Sequence, residues 1–340
     1  MAADDVPAET VLQPLPPGTA TGVGSLPGTD PAEAVRAVLG LLPDLPFLPE
    51  LPARGPYADL AGRTTALLAG LPVDLQPTGW RLTERGSRDG TRARDLLARD
   101  LDALEDVVGG DPLPRLKVQA AGPWTLATVL ELQRGERVLA DRGALRDLHA
   151  SLAEGLSLHL AELGRRFPGV ELVLQLDEPA LPAVLRGSVP TPSGFGRYRV
   201  PEPRLVSDRL ESVLAVGGRT VVHCCAPGVP VRLLRGAGAA GISLDLALPQ
   251  DDQELGEAAE GGTALWLGVV PSTGTAPPLV DDVLAPVRAL WRRLGLAPET
   301  LLETVVLTPS CGLAGATSGY ARAVLERLVE AGAALAEEPL

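Results

Sequence analysis

The sequence predicts an α/β protein, a (β/α)8 TIM barrel built as a single domain. Two observations carry that expectation. Strand and helix signals alternate along 340 residues, a length that suits one large α/β domain. Eight short apolar or β-branched runs are bounded by Gly- and Pro-rich loops, and helical patterns separate most of them. The runner-up is an open doubly wound sheet. No G-x-G-x-x-G follows the first run, so the dinucleotide-binding version of that fold has little support.

The first strand, 19–25, ends on Gly24-Ser25. A helix over 30–42 follows, opened by Asp30-Pro31: a capping carboxylate, then a proline where a missing N–H costs nothing. The second strand, 46–51, leads into a long segment, 52–115, with a helix over 92–108. Strand 116–121 precedes helix 143–166. Strand 170–177 precedes a Gly-, Pro- and Ser-rich stretch, 187–203, and then helix 203–215. Three compact units come next: strand 220–225 with helix 229–237, strand 241–246 with helix 251–260, and strand 264–270 with helix 281–294. Asp281-Asp282 place acid at the start of the last of these helices. Strand 304–308 and helix 317–336 close the set. The two oversized segments belong at the C-terminal mouth of a barrel, where long loops act as lids or substrate walls. The barrel domain is thus expected over 19–340. Residues 1–18, acidic and proline-rich, read as a flexible N-terminal arm.

Composition bounds the partners. A net charge of −13 is spread along the chain, which speaks against nucleic acid, because duplex binding needs a basic footprint. A polybasic membrane surface is equally missing, and no apolar run reaches the roughly 18–20 residues of a spanning helix. The N-terminus lacks the basic start and apolar run of a signal peptide, so the expected location is cytoplasmic. Three cysteines cannot all pair with one another, and in a reducing cytosol thiols or metal ligands are expected rather than disulfides.

All three cysteines fall in two short stretches, His223-Cys224-Cys225 and Cys311-Gly312-Leu313. Side chains alternate along a strand, so His223 and Cys225 share one face of 220–225 while Cys224 faces the helical layer. In 241–246, Ser243 and Asp245 share a face, which puts a carboxylate at the end of the next strand. Cys311 follows the eighth strand and reaches the same mouth. One imidazole, one carboxylate and two thiolates suit tetrahedral zinc, so the expected Zn2+ ligands are His223, Cys225, Asp245 and Cys311. Asp245 has a second reading, as an orienter of His223. Singly, each of these residues is more often an ordinary core or surface group.

At these residues the chain resembles the C-terminal catalytic barrel of cobalamin-independent methionine synthase, in its short single-barrel form. That family, within the uroporphyrinogen decarboxylase-like barrels, carries H-x-C after strand five, an acidic ligand after strand six and C-G-L after strand eight. Further likeness lies in Gly22-Val23-Gly24-Ser25-Leu26-Pro27, in Gly122-Pro123-Trp124-Thr125-Leu126, and in Asp177-Glu178-Pro179-Ala180-Leu181, similar to the family's D-E-P-A-L. The matches run in order over roughly residues 19 to 335.

The resemblance implies a zinc-dependent methyltransferase of cytoplasmic methionine biosynthesis. Zinc lowers the pKa of a small substrate thiol, homocysteine in the family, and the sulfur attacks a methyl group. Asp177 would bind the substrate ammonium, with Glu178 beside it, and Gly24 and Ser25 would contact the substrate carboxylate. For Asp177 a loop-capping carboxylate is the bland alternative; for Gly24-Ser25 it is a tight turn. The methyl donor would be methylfolate or a methyl-corrinoid protein. Departures bear on the donor: the histidine that long members carry after strand seven is missing from 267–273, and the acid after strand two is not obvious, with Asp59 a substitute. Trp80 and Trp124 are candidates for a flat donor wall, although large aromatics are more often core. Two other readings stand beside this one. A metal-free porphyrinogen decarboxylase-like lyase would grip propionates with Arg54, Arg63 and Arg81. A non-catalytic barrel would bind zinc or thiols and turn nothing over.

Overall fold

The computed structural model describes residues 14–340. The twelve helices among them are α1 (Pro31–Leu41), α2 (Leu60–Thr65), α3 (Arg88–Val108), α4 (Pro123–Val129), α5 (Arg142–Arg166), α6 (Leu181–Leu185), α7 (Pro203–Leu214), α8 (Val231–Gly236), α9 (Asp252–Glu260), α10 (Val280–Leu294), α11 (Pro298–Thr304) and α12 (Ser318–Glu337). The strands are β1 (Val73–Gln76), β2 (Gly79–Leu82), β3 (Arg115–Ala121), β4 (Glu171–Asp177), β5 (Arg219–Cys224), β6 (Gly241–Asp245), β7 (Ala264–Val270) and β8 (Val305–Pro309).

Strands β3 to β8 form one parallel sheet in sequence order. Each pair is joined by a crossover that carries at least one helix, as parallel neighbours require. Six of the eight expected strands are therefore regular. The other two are extended segments that pair only at isolated bridges. Ala20 bridges to Leu307 on β8, Ser25 to Glu50, and Phe47 to Lys117 on β3. Backbone bonds follow the same path: Thr21 N to Leu307 O at 3.0 Å, Leu26 N to Glu50 O at 2.9 Å, and Lys117 N to Pro46 O at 2.8 Å. The ladder is sparse there for a local reason. Pro46 and Pro49 offer no N–H, and Gly22 and Gly24 leave backbone without side chains to pack.

Helix starts follow the capping chemistry. The Asp30 carboxylate accepts from Glu33 N at the head of α1, and Asp141, Asp251 and Thr317 do the same work on α5, α9 and α12. Helix α10 ends on Gly295 in the left-handed conformation, a glycine C-cap. No side chain caps its start, and Asp281 and Asp282 sit inside its first turn.

The outer core packs helices on the convex side of the sheet. The inner side is divided along the strands. Leu45, Val173, Val221, Trp266 and Val306 make a separate apolar plug near the strand N-termini, and Leu15 packs against it. Beyond the plug the inner residues turn polar: Lys117, Gln119, Gln175, Asp177, His223 and Ser243 are all buried. An apolar floor under a polar cup is what a site at the strand C-termini needs. Of the expected arm, residues 1–13 lie outside the described residues.

The long segment 52–115 is not one loop. It holds α2, the β1–β2 hairpin and α3, tied by buried ion pairs. Arg54 grips Asp100 with both guanidinium nitrogens, at 2.7 and 2.8 Å. Arg63 pairs with the same carboxylate and, at 3.6 Å, with Glu50. In 187–203, Tyr198 is buried while Phe195 is 99% exposed. No helix among the described residues is long and apolar enough to cross a membrane.

Candidate metal and thiol site

His223 comes from the end of β5, Cys225 from the residue after it, and Cys311 from the turn after β8. Their donor atoms all lie within 4.8 Å of one another. The two sulfurs are 3.1 Å apart. His223 Nδ1 lies 2.9 Å from Ser243 Oγ, its register partner on β6. That contact leaves Nε2, which is buried and without a hydrogen-bond partner. A buried ring nitrogen left open beside two thiols fits zinc, which takes imidazole and thiolate at about 2.0–2.3 Å. A polar partner on the far nitrogen, here the Ser243 hydroxyl, fixes the ring.

The thiols share a proton unequally. Cys311 is pushed down to about 4, first by its hydrogen bond with Cys225 and then by His223. The same bond, together with burial, pushes the Cys225 thiol up. The contacts thus favour thiolate character on Cys311 rather than on Cys225. Cys224 points the other way, into the apolar core, and burial raises its thiol to about 11.

Asp245 does not join this group. Its Oδ1 accepts from Ala247 N at 2.9 Å, and its carbonyl accepts from Gln250 Nε2. The alternation along β6 is as expected, but the strand ends at Asp245 and the carboxylate closes the following turn. Ser243, two residues earlier, is the group that orients His223.

Asp177 ends β4, buried, with Oδ1 accepting from Gln175 Nε2 at 2.7 Å. Burial raises it to about 6, against the pull of His223 and Lys117. Glu178 is turned away. Its Oε1 accepts from Trp124 N at 2.8 Å, and its Oε2 from Thr125 N and Thr125 Oγ1, both at 2.7 Å. It caps the start of α4, where both of its oxygens are engaged. Ser25 sits against the turn that carries Cys311: Leu313 N donates to Ser25 O at 2.8 Å, and a side chain at Gly312 would run into Ser25 Oγ. Gly24 O accepts from Glu50 N at 3.1 Å.

Glu50 is a buried acid that the motif reading did not single out. It closes the second extended segment, buried, with a pKa raised to about 7 by burial and further by Asp177, against the pull of Arg63. The available signal was an acid at the end of an apolar run, Pro46-Phe47-Leu48-Pro49-Glu50-Leu51. Asp59, named for that place, instead caps α2 through Gly62 N at 2.7 Å. Two buried carboxylates with raised pKa values make a pocket that gains from a cation. Trp124 is fully buried and meets His149 edge-on, and Trp80 packs on Tyr57, so both belong to the core.

No family model matches the chain, and no curated protein matches it by sequence. Solved structures do. A B12-independent methionine synthase from Shewanella, solved with selenomethionine, is 15% identical with a TM-score of 0.63, covering 96% of this chain and 99% of its own. A methyltransferase from Methanosarcina mazei is 16% identical with a TM-score of 0.59, covering 95% of both chains. At such identity the likeness is one of fold, and it spans nearly the whole chain: this protein has the chain path of those two enzymes.

Proposed function

We propose that this protein is a zinc-dependent methyltransferase on a (β/α)8 barrel, acting on the thiol of a small amino acid, homocysteine first. The observation that supports it most is the convergence of His223, Cys225 and Cys311, from the ends of β5 and β8, around the open His223 Nε2. The fold likeness to a methionine synthase and a methyltransferase points the same way. Bound there, zinc would supply a Lewis acid that lowers the pKa of a thiol near neutral pH. The chain's own residues do the rest. His223, Cys225 and Cys311 would hold the metal, and the Asp245 carboxylate, engaged with Ala247 N, is not one of that group. Asp177, with Glu50 nearby, receives the substrate ammonium, and Gly24-Ser25 the carboxylate. The apolar floor keeps water from below. So held, the substrate sulfur loses its proton and forms its bond to the methyl carbon as the methyl–donor bond breaks, the electron pair leaving with the donor.

The metal-free lyase reading draws less support. Arg54 and Arg63 are taken by Asp100, and Arg81 already pairs with Glu131. The test offers zinc-loaded protein homocysteine with methyltetrahydrofolate and, separately, with a methyl-corrinoid. Methionine from one donor is expected. Zinc and homocysteine binding with no methionine from either donor would leave a non-catalytic barrel. Failure to bind zinc would overturn the reading.

A further inference from the structure

Lys117 is the only lysine in the chain, and it is fully buried on the inner side of β3. Its Nζ donates to Val23 O at 2.7 Å, to Gln175 Oε1 at 3.0 Å and to Gln119 Oε1 at 3.1 Å. An ammonium has three donors and no acceptor, so these three partners satisfy it completely. None of them is a carboxylate. A buried charge held by neutral groups is costly, and a core of this size could be filled by an apolar side chain at lower cost.

The three acceptors belong to three walls of the cup. Val23 precedes the Gly24-Ser25 turn. Gln119, with Oε1 on Lys117, turns Nε2 to Leu48 O at 2.5 Å, two residues before Glu50. Gln175, with Oε1 on Lys117, turns Nε2 to Val23 O at 2.8 Å and to Asp177 Oδ1 at 2.7 Å. An amide flipped end for end keeps its shape but exchanges donor and acceptor. Flipped, Gln175 would set its oxygen against the Asp177 carboxylate. Nζ donates to both amide oxygens while each Nε2 faces an oxygen on its other side, so Lys117 helps to fix the orientation of both amides.

We infer that Lys117 is a positioning residue for the amino-acid end of the substrate: through Gln175 it orients Asp177, and through Val23 it sets the Gly24-Ser25 turn. This inference rests on the thiol amino-acid reading above. It touches no metal ligand, since His223, Cys225 and Cys311 are not among the partners of Lys117. Its signature is therefore a split between recognition of the amino acid and recognition of the thiol.

The experiment loads the protein with cobalt(II) and follows the sulfur-to-cobalt absorption band. L-Homocysteine and 1-propanethiol, which lacks the ammonium and carboxylate, are titrated in parallel. Wild type is expected to prefer homocysteine. Lys117→Met is expected to weaken homocysteine roughly ten- to a hundred-fold while propanethiol binds as in wild type. Gln175→Met, which keeps the lysine and cuts only its link to Asp177, is expected to lose part of the same preference. Should Lys117→Met fail to fold, Gln175→Met decides alone. Full retention of the preference by the folded variants would overturn the inference. So would a parallel loss for both thiols, which would make Lys117 a structural residue only. No preference in wild type would instead sink the amino-acid reading, and the inference with it.

Discussion

Cys224 and Cys225 are neighbours in sequence with opposite surroundings. One is sealed in the apolar core and the other lies 3.1 Å from Cys311 Sγ. Cys225→Ser or Cys311→Ser is expected to remove most bound zinc, because a serine hydroxyl is a far weaker ligand than a thiolate. Cys224→Ser is expected to leave zinc nearly stoichiometric, at a cost in stability of about 1–3 kcal/mol for a buried hydroxyl with a poor partner. Metal analysis and urea midpoints on the three purified variants separate the two effects. Equal zinc loss from all three would contradict this assignment. The alternation of side chains along a strand made that division of the cysteines legible in the sequence. At the strand ends the rule still gave the direction of a side chain but not its partner. Asp245 lies on the expected strand position, yet the Ala247 N–H captured its carboxylate. Glu178 was claimed by the start of α4. Alternation gives a direction; it does not show which backbone groups compete for an oxygen when a strand stops. Lys117 and Glu50 were hidden for another reason: groups that face them, Val23 and Gln175 for the first and Arg63 for the second, lie elsewhere along the chain.

At the scale of elements, every regular strand of the main sheet was legible as an apolar run, and the long helices as periodic segments. The elements that escaped were short: α2, α4, α6 and α11, and the β1–β2 hairpin, span 4–7 residues each. That is too brief for a period to show. Helix α5 adds a case where packing reverses a propensity. Gly155 lies inside it, and an exposed glycine there would cost about 1 kcal/mol relative to alanine. A methyl group at Gly155 would instead drive into the Leu67 carbonyl, on the chain just past α2. Gly155→Ala is therefore expected to destabilise by about 1–3 kcal/mol, as over-packing does. Urea unfolding measures it, and a midpoint above wild type would show that α5 moves aside freely.

Across the whole molecule, burial sets the response to acid. His149 and His159 are both buried on α5, and burial lowers them to about 3 and about 4. Unfolded, each takes its proton near pH 6.5. Between these values the unfolded chain binds more protons than the folded one. Stability therefore falls as pH drops from 6.5, by about 1.4 kcal/mol per pH unit for each histidine. Glu50, Asp177 and Glu178 act with the opposite sign. Burial raises them to about 7, 6 and 7, so the folded state keeps protons that the unfolded chain has released. Their contribution to stability grows as pH falls from 7 toward the unfolded carboxyl range. The two sets oppose each other over the same window. Replacing both histidines with leucine removes one set and leaves the other. Relative to wild type, the double variant is expected to gain stability steadily as pH drops from 7 to 5, measured by urea unfolding with metal removed from both proteins. A difference that stays constant over those two units would mean that the histidines keep ordinary pKa values in the fold, and that α5 admits water to them.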